Sequence, residues 1–105
     1  MNIFAIPRPL PVDEVAETLH EGGGVRIERI ISCGQASPPG FWYDQDKDEW
    51  VVLLTGRAEI SFADGRRVVL AAGDALFLAA GEKHRVDFTS ATPPCIWLAV
   101  HGKLR

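Results

Sequence analysis

The sequence predicts an all-β sandwich or barrel that follows a short N-terminal arm and helix. Short segments rich in β-branched or alternating apolar residues recur at spacings of roughly eight to ten residues, and Gly or Pro bounds nearly every one. The chain has 105 residues, the length of one small domain. Together these observations favour a single all-β domain, with the arm and helix in residues 1–24 and the barrel in residues 25–105.

The first 24 residues are predicted to form an extended arm and then a helix. Three prolines lie in the first eleven residues, and each fixes its own φ angle and disfavours helix just before it. Apolar residues then follow at the i, i+3, i+4, i+7 spacing of one helix face: Val12, Val15, Ala16 and Leu19. The triple glycine that starts at Gly22 would end this helix.

Seven strands are predicted after the triple glycine. The first is β-branched and the third alternates strictly between apolar and polar residues, whereas the second is apolar on both faces. Asp64-Gly65 is the strongest hairpin signal, and Gly73-Asp74 and Gly81-Glu82 mark two further turns. The predicted strands span residues 25–32, 50–55, 58–62, 66–70, 75–78, 84–88 and 95–100.

Charge and composition exclude some classes of partner. The chain carries 11 Lys and Arg against 14 Asp and Glu, a formal charge of −3, which argues against nucleic-acid binding. Its apolar stretches are far shorter than the ~20 residues that cross a bilayer, and its first residues do not resemble an export signal. We therefore expect no membrane partner, a cytoplasmic location, and reduced, structurally packed thiols at Cys33 and Cys95.

Two groups of residues carry a resemblance to a known family. Glu49 and Gly56 have the spacing that ends the first cupin motif, and Gly73, Gly81 and His84 keep their places in the second. The region from residue 40 to residue 88 therefore resembles a cupin. The resemblance implies a double-stranded β-helix, or jelly-roll barrel, with a metal or small-molecule site inside it.

This chain departs from the cupin pattern at four motif positions. Tyr43 and Gln45 replace the two histidines of the first motif, while Ala79 and Phe88 replace the proline and asparagine of the second. In cupins the two histidines, the glutamate and the second-motif histidine bind one divalent metal ion. The resemblance thus implies a weakened metal site made of Tyr43, Gln45, Glu49 and His84.

Two interpretations of these four residues remain open. On one strand, positions 43, 45 and 49 would share a face, with His84 opposite them on a facing strand. Glu49 and His84 are good ligands for Fe, Mn, Ni or Zn, Gln45 offers an amide oxygen, and Tyr43 is a poor ligand unless deprotonated. Alternatively, the four form a metal-free hydrogen-bonded cluster in the cavity.

Two weaker candidates are expected to have no role in a site. Asp44, Asp46 and Asp48 imitate the start of a calcium loop, but the residues that follow do not continue it, so a solvated acidic edge is expected. His101 has the strand parity of Trp97 and could line the barrel. A position at the surface or at the strand end is favoured for it.

Two functions are compatible with these features. The first is a metal-dependent small-molecule enzyme of the dioxygenase, isomerase or decarboxylase type. The second is a non-catalytic module that binds a small ligand without metal. A structural or regulatory dimer with no function in the cavity is a third hypothesis. Trp50, Val52 and Leu54 need a cover outside the barrel, from the N-terminal helix or a second subunit. The resemblance to cupins favours the second subunit and therefore a homodimer.

Overall fold

Eight antiparallel strands form two facing sheets in the computed structural model, which describes residues 1–105. The larger sheet has the strand order β1-β2-β8-β3-β6 and the smaller sheet the order β5-β4-β7. The strands are β1 (Val15–Gly22), β2 (Val25–Ser32), β3 (Asp48–Thr55), β4 (Arg57–Phe62), β5 (Arg67–Ala71), β6 (Ala75–Leu78), β7 (His84–Thr89) and β8 (Cys95–Gly102). The all-β class is confirmed, and no helix capable of spanning a membrane is present.

The seven strands predicted after the triple glycine are confirmed as β2 to β8. The largest boundary differences are two residues, because β3 begins two residues earlier than predicted and β8 ends two residues later. The predicted hairpin joins β4 to β5, where the amide of Gly65 donates to the carbonyl oxygen of Phe62 at 3.0 Å. Gly65 has a φ angle of 99°, a conformation that glycine adopts without strain.

The predicted N-terminal helix is wrong. Val15–Gly22 is instead the edge strand β1, which pairs with β2 from Val15 opposite Ile31 to Gly22 opposite Val25. Its residues alternate between half-buried and exposed up to His20, a period of two that the helical spacing of the apolar residues had masked. A nine-residue helix is marginal in water, whereas the free edge of β2 supplies a full set of backbone partners.

The hydrophobic core lies between the two sheets. On β3 the side chains of Val51 and Leu53 point inward, while Trp50, between Glu49 and Val51, points outward and stays 39% exposed. The other buried core residues are Ala58, Ile60, Phe62, Leu70, Leu78, Cys95, Trp97 and Ala99. Polar side chains occupy the remaining space between the sheets, and they form the candidate site.

The N-terminal arm covers part of the outer face of the larger sheet. Arg29 is only 4% exposed, and its guanidinium donates to the carbonyl oxygens of Ile3 and Ala5 at 3.0 and 2.9 Å. It also makes a two-pronged pair with the Glu17 carboxylate at 2.8 and 3.1 Å. The arm, rather than a helix, thus covers this region, whereas Trp50 remains partly exposed.

Candidate functional site

A cavity of about 230 Å³ opens between the two sheets, and four buried polar residues line it: Glu28, Glu49, His84 and His101. Its wall is mainly apolar, with Ile30, Val51, Ile60, Leu78, Val86 and Trp97 among its residues. The polar side chains that line it are Glu14, Glu28, Tyr43, Gln45, Glu49, His84 and His101. Glu49 and His84 therefore face the same cavity from different sheets, as the motif resemblance implies.

Tyr43 and His84 are held together by the backbone. The amide of Tyr43 donates to the carbonyl oxygen of His84 at 2.7 Å, and the amide of His84 donates back at 3.1 Å. Their rings stack with centroids 5.3 Å apart and planes 19° from parallel. Nδ1 of His84 lies 3.1 Å from the carbonyl oxygen of Glu82, which can only accept, so this contact places the proton on Nδ1.

Glu49 is the most deeply placed carboxylate in the cavity. It follows the first residue of β3 and is 7% exposed. Burial raises its pKa, which the imidazole of His101, the amide of Gln45 and the imidazole of His84 partly offset. The nearest imidazole nitrogen, Nδ1 of His101, lies 3.9 Å from Oε1, beyond hydrogen-bond distance. A buried carboxyl group with spare acceptor capacity is thus directed into the cavity.

His101 and Glu28 extend this polar group along the larger sheet. Nε2 of His101 lies 2.7 Å from Oε1 of Glu28, and both residues are buried. His101 is also the register partner of Glu49 on the neighbouring strand. His101 lies at the end of β8, one of the two positions expected for it, but it is buried and lines the cavity rather than the surface. Sequence reasoning overlooked Glu28, although strand parity places it on the same face of β2 as Ile30, which was a usable signal.

The four residues of the implied metal site do not make a fitting donor set. Glu49 and His84 would be the good metal ligands of the four, whereas Gln45 offers only a neutral amide oxygen and the ring of Tyr43 stacks on that of His84. Burial and the carboxylates of Glu14 and Glu49 raise the pKa of Tyr43, which disfavours the phenolate that a metal needs. No group of three or more His, Cys, Asp or Glu side chains is arranged to hold a metal ion.

Gln45 does not lie on the same strand as Glu49, so strand parity does not set the direction of its side chain. Residue 45 lies in the loop before β3, where its carbonyl oxygen accepts from the amide of Gly81 at 2.7 Å. Only Glu49 among the first-motif positions lies on a strand. Metal binding by Tyr43, Gln45, Glu49 and His84 stays a prediction.

The acidic run beside the site divides into two kinds of residue. Asp44 and Asp46 are exposed, as expected for a solvated edge. Asp48 is only 4% exposed, so that interpretation is wrong for it. Its carboxylate accepts from the amides of Ala80 at 2.9 Å and Leu104 at 3.0 Å, and the Ala80 contact above all lowers its pKa. Asp48 therefore fastens the C-terminal residues to the barrel.

The two cysteines have separate, structural surroundings. Cys95 is fully buried in the core, and its thiol donates to the carbonyl oxygen of Arg57 at 3.3 Å, which confirms the expected packing role. Cys33 is half-buried, with its sulfur 3.7 Å from the carbonyl oxygen of Ala91. Both thiols are free, and neither lines the cavity.

The family of the protein is decided by a match that covers most of the barrel. The family model for the cupin domain matches residues 30–101, from within β2 to near the end of β8. The chain belongs to the cupin family. The expected jelly-roll barrel of the cupins is therefore confirmed, and the cavity described above lies inside it.

Solved structures support the cupin fold over nearly the whole chain. A Ralstonia eutropha JMP134 protein, provisionally named a mannose-6-phosphate isomerase, is 48% identical, with a TM-score of 0.90 over 98% of this chain and 96% of that one. A cupin superfamily protein from Desulfitobacterium hafniense DCB-2 is 19% identical, with a TM-score of 0.72 over 97% and 96%. A Thermus thermophilus protein is 22% identical, with a TM-score of 0.74 over 92% and 90%. No curated protein matches the chain significantly.

Proposed function

We propose that this cupin is a small-molecule isomerase that works by proton transfer in the barrel cavity, with Glu49 as its base. The observation that carries the proposal is the placement of Glu49, a buried carboxyl group directed into a cavity and accompanied there by His84 and Tyr43. Burial raises its pKa and so makes it a stronger base than an exposed glutamate. The similarity to the Ralstonia protein supports the isomerase class.

In a 1,2-isomerisation, Glu49 moves the carbon-bound proton, while Tyr43 and His84 act on the two substrate oxygens. Glu49 takes a proton from the carbon beside a carbonyl group, and the C–H electron pair becomes the double bond of an enediol. As negative charge develops on the carbonyl oxygen, that oxygen accepts a hydrogen bond from the hydroxyl of Tyr43, which keeps its proton. Nε2 of His84 takes the proton of the neighbouring hydroxyl group and passes it to that oxygen, and Glu49 returns its proton to the former carbonyl carbon. No oxidant or reductant is consumed, and all three residues end as they began.

The two functions expected from the sequence are the alternatives. A non-catalytic ligand-binding cupin would use the same cavity without turnover. A metal-dependent enzyme would need Fe, Mn, Ni or Zn held through Glu49 and His84, and this alternative draws its support from the cupin family rather than from the donor geometry. A ligand-binding cupin would not exchange substrate protons with solvent, whereas the proposed isomerase would. A metal-dependent enzyme would exchange them only when the metal is present.

Deuterium exchange tests the proposal directly. The purified protein is treated with a chelator and incubated in D₂O with mannose, mannose 6-phosphate, glucosamine or dihydroxyacetone, and NMR follows deuterium entering the carbon beside the carbonyl group. We expect exchange in at least one compound and a loss of about 10²- to 10⁴-fold in Glu49→Gln, the usual contribution of a general base. Glu21→Gln, at an exposed position on β1, is the matched control and should exchange at the wild-type rate.

Other outcomes lead to different conclusions. Binding without exchange in any compound would leave a ligand-binding cupin and end the isomerase proposal. Full exchange in Glu49→Gln would assign the base to another residue. Exchange that appears only when Mn, Fe, Ni or Zn is added, and that disappears in His84→Ala, would favour the metal-dependent enzyme instead.

We also propose that the protein acts as a cytoplasmic homodimer. Trp50 and Phe77 are cross-strand partners on the outer face of the larger sheet, and each is 39% exposed. A second subunit covering them would remove apolar surface from water. Light scattering should give twice the chain mass for the wild type and the single chain mass for Trp50→Lys; a wild-type monomer would contradict the proposal.

A further inference from the structure

Carboxyl groups outnumber imidazoles among the side chains that line the cavity. Three carboxyl groups face it, those of Glu14, Glu28 and Glu49, and two imidazoles accompany them. Neither lysine nor arginine lines the cavity. The nearest guanidinium to Glu28 is that of Arg26, 3.5 Å away, and its side chain is 44% exposed. A molecule that enters the cavity therefore meets more acidic than basic groups.

Two of these carboxyl groups already have strong partners and the third does not. Glu28 contacts Nε2 of His101 at 2.7 Å, and Glu14 accepts from the hydroxyl of Ser32 at 2.7 Å. Glu49 is as deeply buried as Glu28, with 7% exposure, whereas Glu14 is exposed, and His101 stands 3.9 Å from Glu49. A carboxylate has about four lone-pair sites, and the Gln45 amide is the one neighbouring donor that favours its charged form by hydrogen bonding.

The rest of the wall favours an organic group. Trp97 and Tyr43 present aromatic surface, and aliphatic side chains fill most of the remaining wall. A volume of about 230 Å³ is the liquid share of about eight water molecules. That is far more than one metal ion occupies. It suits a molecule of roughly that many non-hydrogen atoms, which aromatic faces attract when it is cationic.

We propose that the ligand of this cavity is a small organic cation, an ammonium compound whose charge is paired by Glu49 and faced by Tyr43 and Trp97. This inference rests on the proposed function, because it names the class of molecule that the same cavity takes. The ammonium group supplies a cation in direct contact, which Glu49 lacks because the nearest imidazole nitrogen, Nδ1 of His101, is 3.9 Å away. Its alkyl groups contact the apolar wall, where they leave no polar group unsatisfied.

The same charges exclude a phosphate ester as the preferred ligand. A phosphate group carries about two negative charges at neutral pH, and sites for such groups are built from arginine, lysine or free backbone amides. Glu14, Glu28 and Glu49 would repel it. We therefore do not expect this cavity to prefer mannose 6-phosphate, the sugar phosphate in the provisional name of the Ralstonia protein.

Matched probes that differ only in charge test the inference. Choline and its uncharged carbon isostere, 3,3-dimethylbutan-1-ol, have the same shape and are titrated into chelator-treated full-length protein by calorimetry. We expect choline to bind at least about tenfold more tightly, since a desolvated cation facing aromatic rings gains ~2 kcal/mol. Glu49→Gln should remove most of that preference without weakening the alcohol. Glu21→Gln, outside the cavity, should keep it.

Each remaining outcome overturns the inference in a recognisable way. Equal or tighter binding of the alcohol would show that charge does not select the ligand, yet small-molecule binding would stand. Preference for mannose 6-phosphate over choline would reverse the charge assignment while leaving the isomerase proposal in place. Absence of binding by choline would end the inference, and the deuterium-exchange test would still decide the proposed function. Stoichiometric displacement of choline by Zn²⁺ or Mn²⁺ would show that the carboxylates bind a metal ion rather than an organic cation.

Discussion

Tyr43 and His84 exchange both of their backbone hydrogen bonds and stack their rings 5.3 Å apart. This bridge fixes the loop before β3 against β7, so one side of the cavity is formed outside any regular strand pair. Phe41 packs edge-on against Tyr43 with centroids 4.9 Å apart, which supports the same loop. The tyrosine ring thus joins the loop before β3 to the histidine of the second cupin motif by stacking.

Removal of the Tyr43 ring should loosen this side of the cavity. We expect Tyr43→Ala to lower the free energy of unfolding by about 2 kcal/mol, because the stacked and edge-on aromatic contacts and part of the buried surface are lost. Tyr43→Phe keeps the ring and should stay within ~0.5 kcal/mol of the wild type. Urea unfolding measures both. Equal losses in the two variants would show that the hydroxyl, rather than the stack, stabilises the loop.

Gly56, which ends β3 at the first-motif glycine position, should tolerate no side chain. Its φ angle is 87°, and a Cβ atom there would lie 2.8 Å from both the Cys95 sulfur and the Ser90 hydroxyl. Gly65 also has a positive φ angle, 99°, but a Cβ atom there would meet nothing within 4 Å. The two glycines therefore separate backbone strain from steric overlap.

We expect Gly56→Ala to cost about 3 kcal/mol of unfolding free energy and Gly65→Ala about 1 kcal/mol. The smaller figure is the strain of a positive φ angle, and the difference is the cost of overpacking beside Cys95. Thermal and urea unfolding of both variants provide the comparison. Similar losses at the two positions would mean that the core around Cys95 adjusts to an added methyl group.

Arg29 should be the main attachment of the N-terminal arm. Arg29→Met removes the pair with Glu17 and the two hydrogen bonds to arm carbonyls, so we expect a loss of about 2 kcal/mol. Hydrogen exchange of the arm amides should also become faster. Arg26→Met, at a far more exposed arginine of the same strand, is the control and should change neither quantity. Unchanged exchange in Arg29→Met would place the attachment elsewhere.

Most of the fold could be predicted from the sequence because its strands are short, punctuated and alternating. Val25–Ser32 is β-branched throughout its apolar positions, and Asp64-Gly65 leaves little choice of turn. The N-terminal helix was wrong because Val15 and Leu19 fit either period, whereas Val12 lies outside β1 and Ala16 lies on its exposed face. Only the free edge of β2 decides between the two periods, and that edge is a property of the assembled sheet.

The only site residues that could be predicted from the sequence are those at cupin motif positions. The motif spacing brought Glu49 and His84 to one cavity, but no local pattern distinguishes His101 from an end-of-strand histidine. Its importance arises from pairing, since β8 lies between β2 and β3 and so places His101 between Glu28 and Glu49. That neighbourhood joins residues 73 positions apart, counted between Glu28 and His101. Sequence periodicity within one strand contains no such information.

Stability should depend on pH through Glu49. Because burial raises its pKa in the folded protein, folding favours the protonated form, and this contribution is present at pH values below the ordinary pKa of 4.5. It is lost as the pH rises through the raised pKa. Glu49→Gln cannot ionise, so we expect its unfolding free energy relative to the wild type to increase between about pH 4 and pH 8. Thermal unfolding across this range measures it, and a pH-independent difference would contradict the assigned shift.

Removal of metal ions should leave the folded protein unchanged. The polar residues of the cavity contact one another by hydrogen bonds and stacking, such as the hydrogen bond of His101 with Glu28. A metal at 100 times its dissociation constant would add ~2.7 kcal/mol to the free energy of unfolding, so binding to the folded protein is readily detected. We expect Fe²⁺, Mn²⁺, Ni²⁺ and Zn²⁺ each to add less than ~0.5 kcal/mol to chelator-treated protein. A larger gain that His84→Ala abolishes would instead establish the metal site of Tyr43, Gln45, Glu49 and His84, since imidazole is the strongest donor among them.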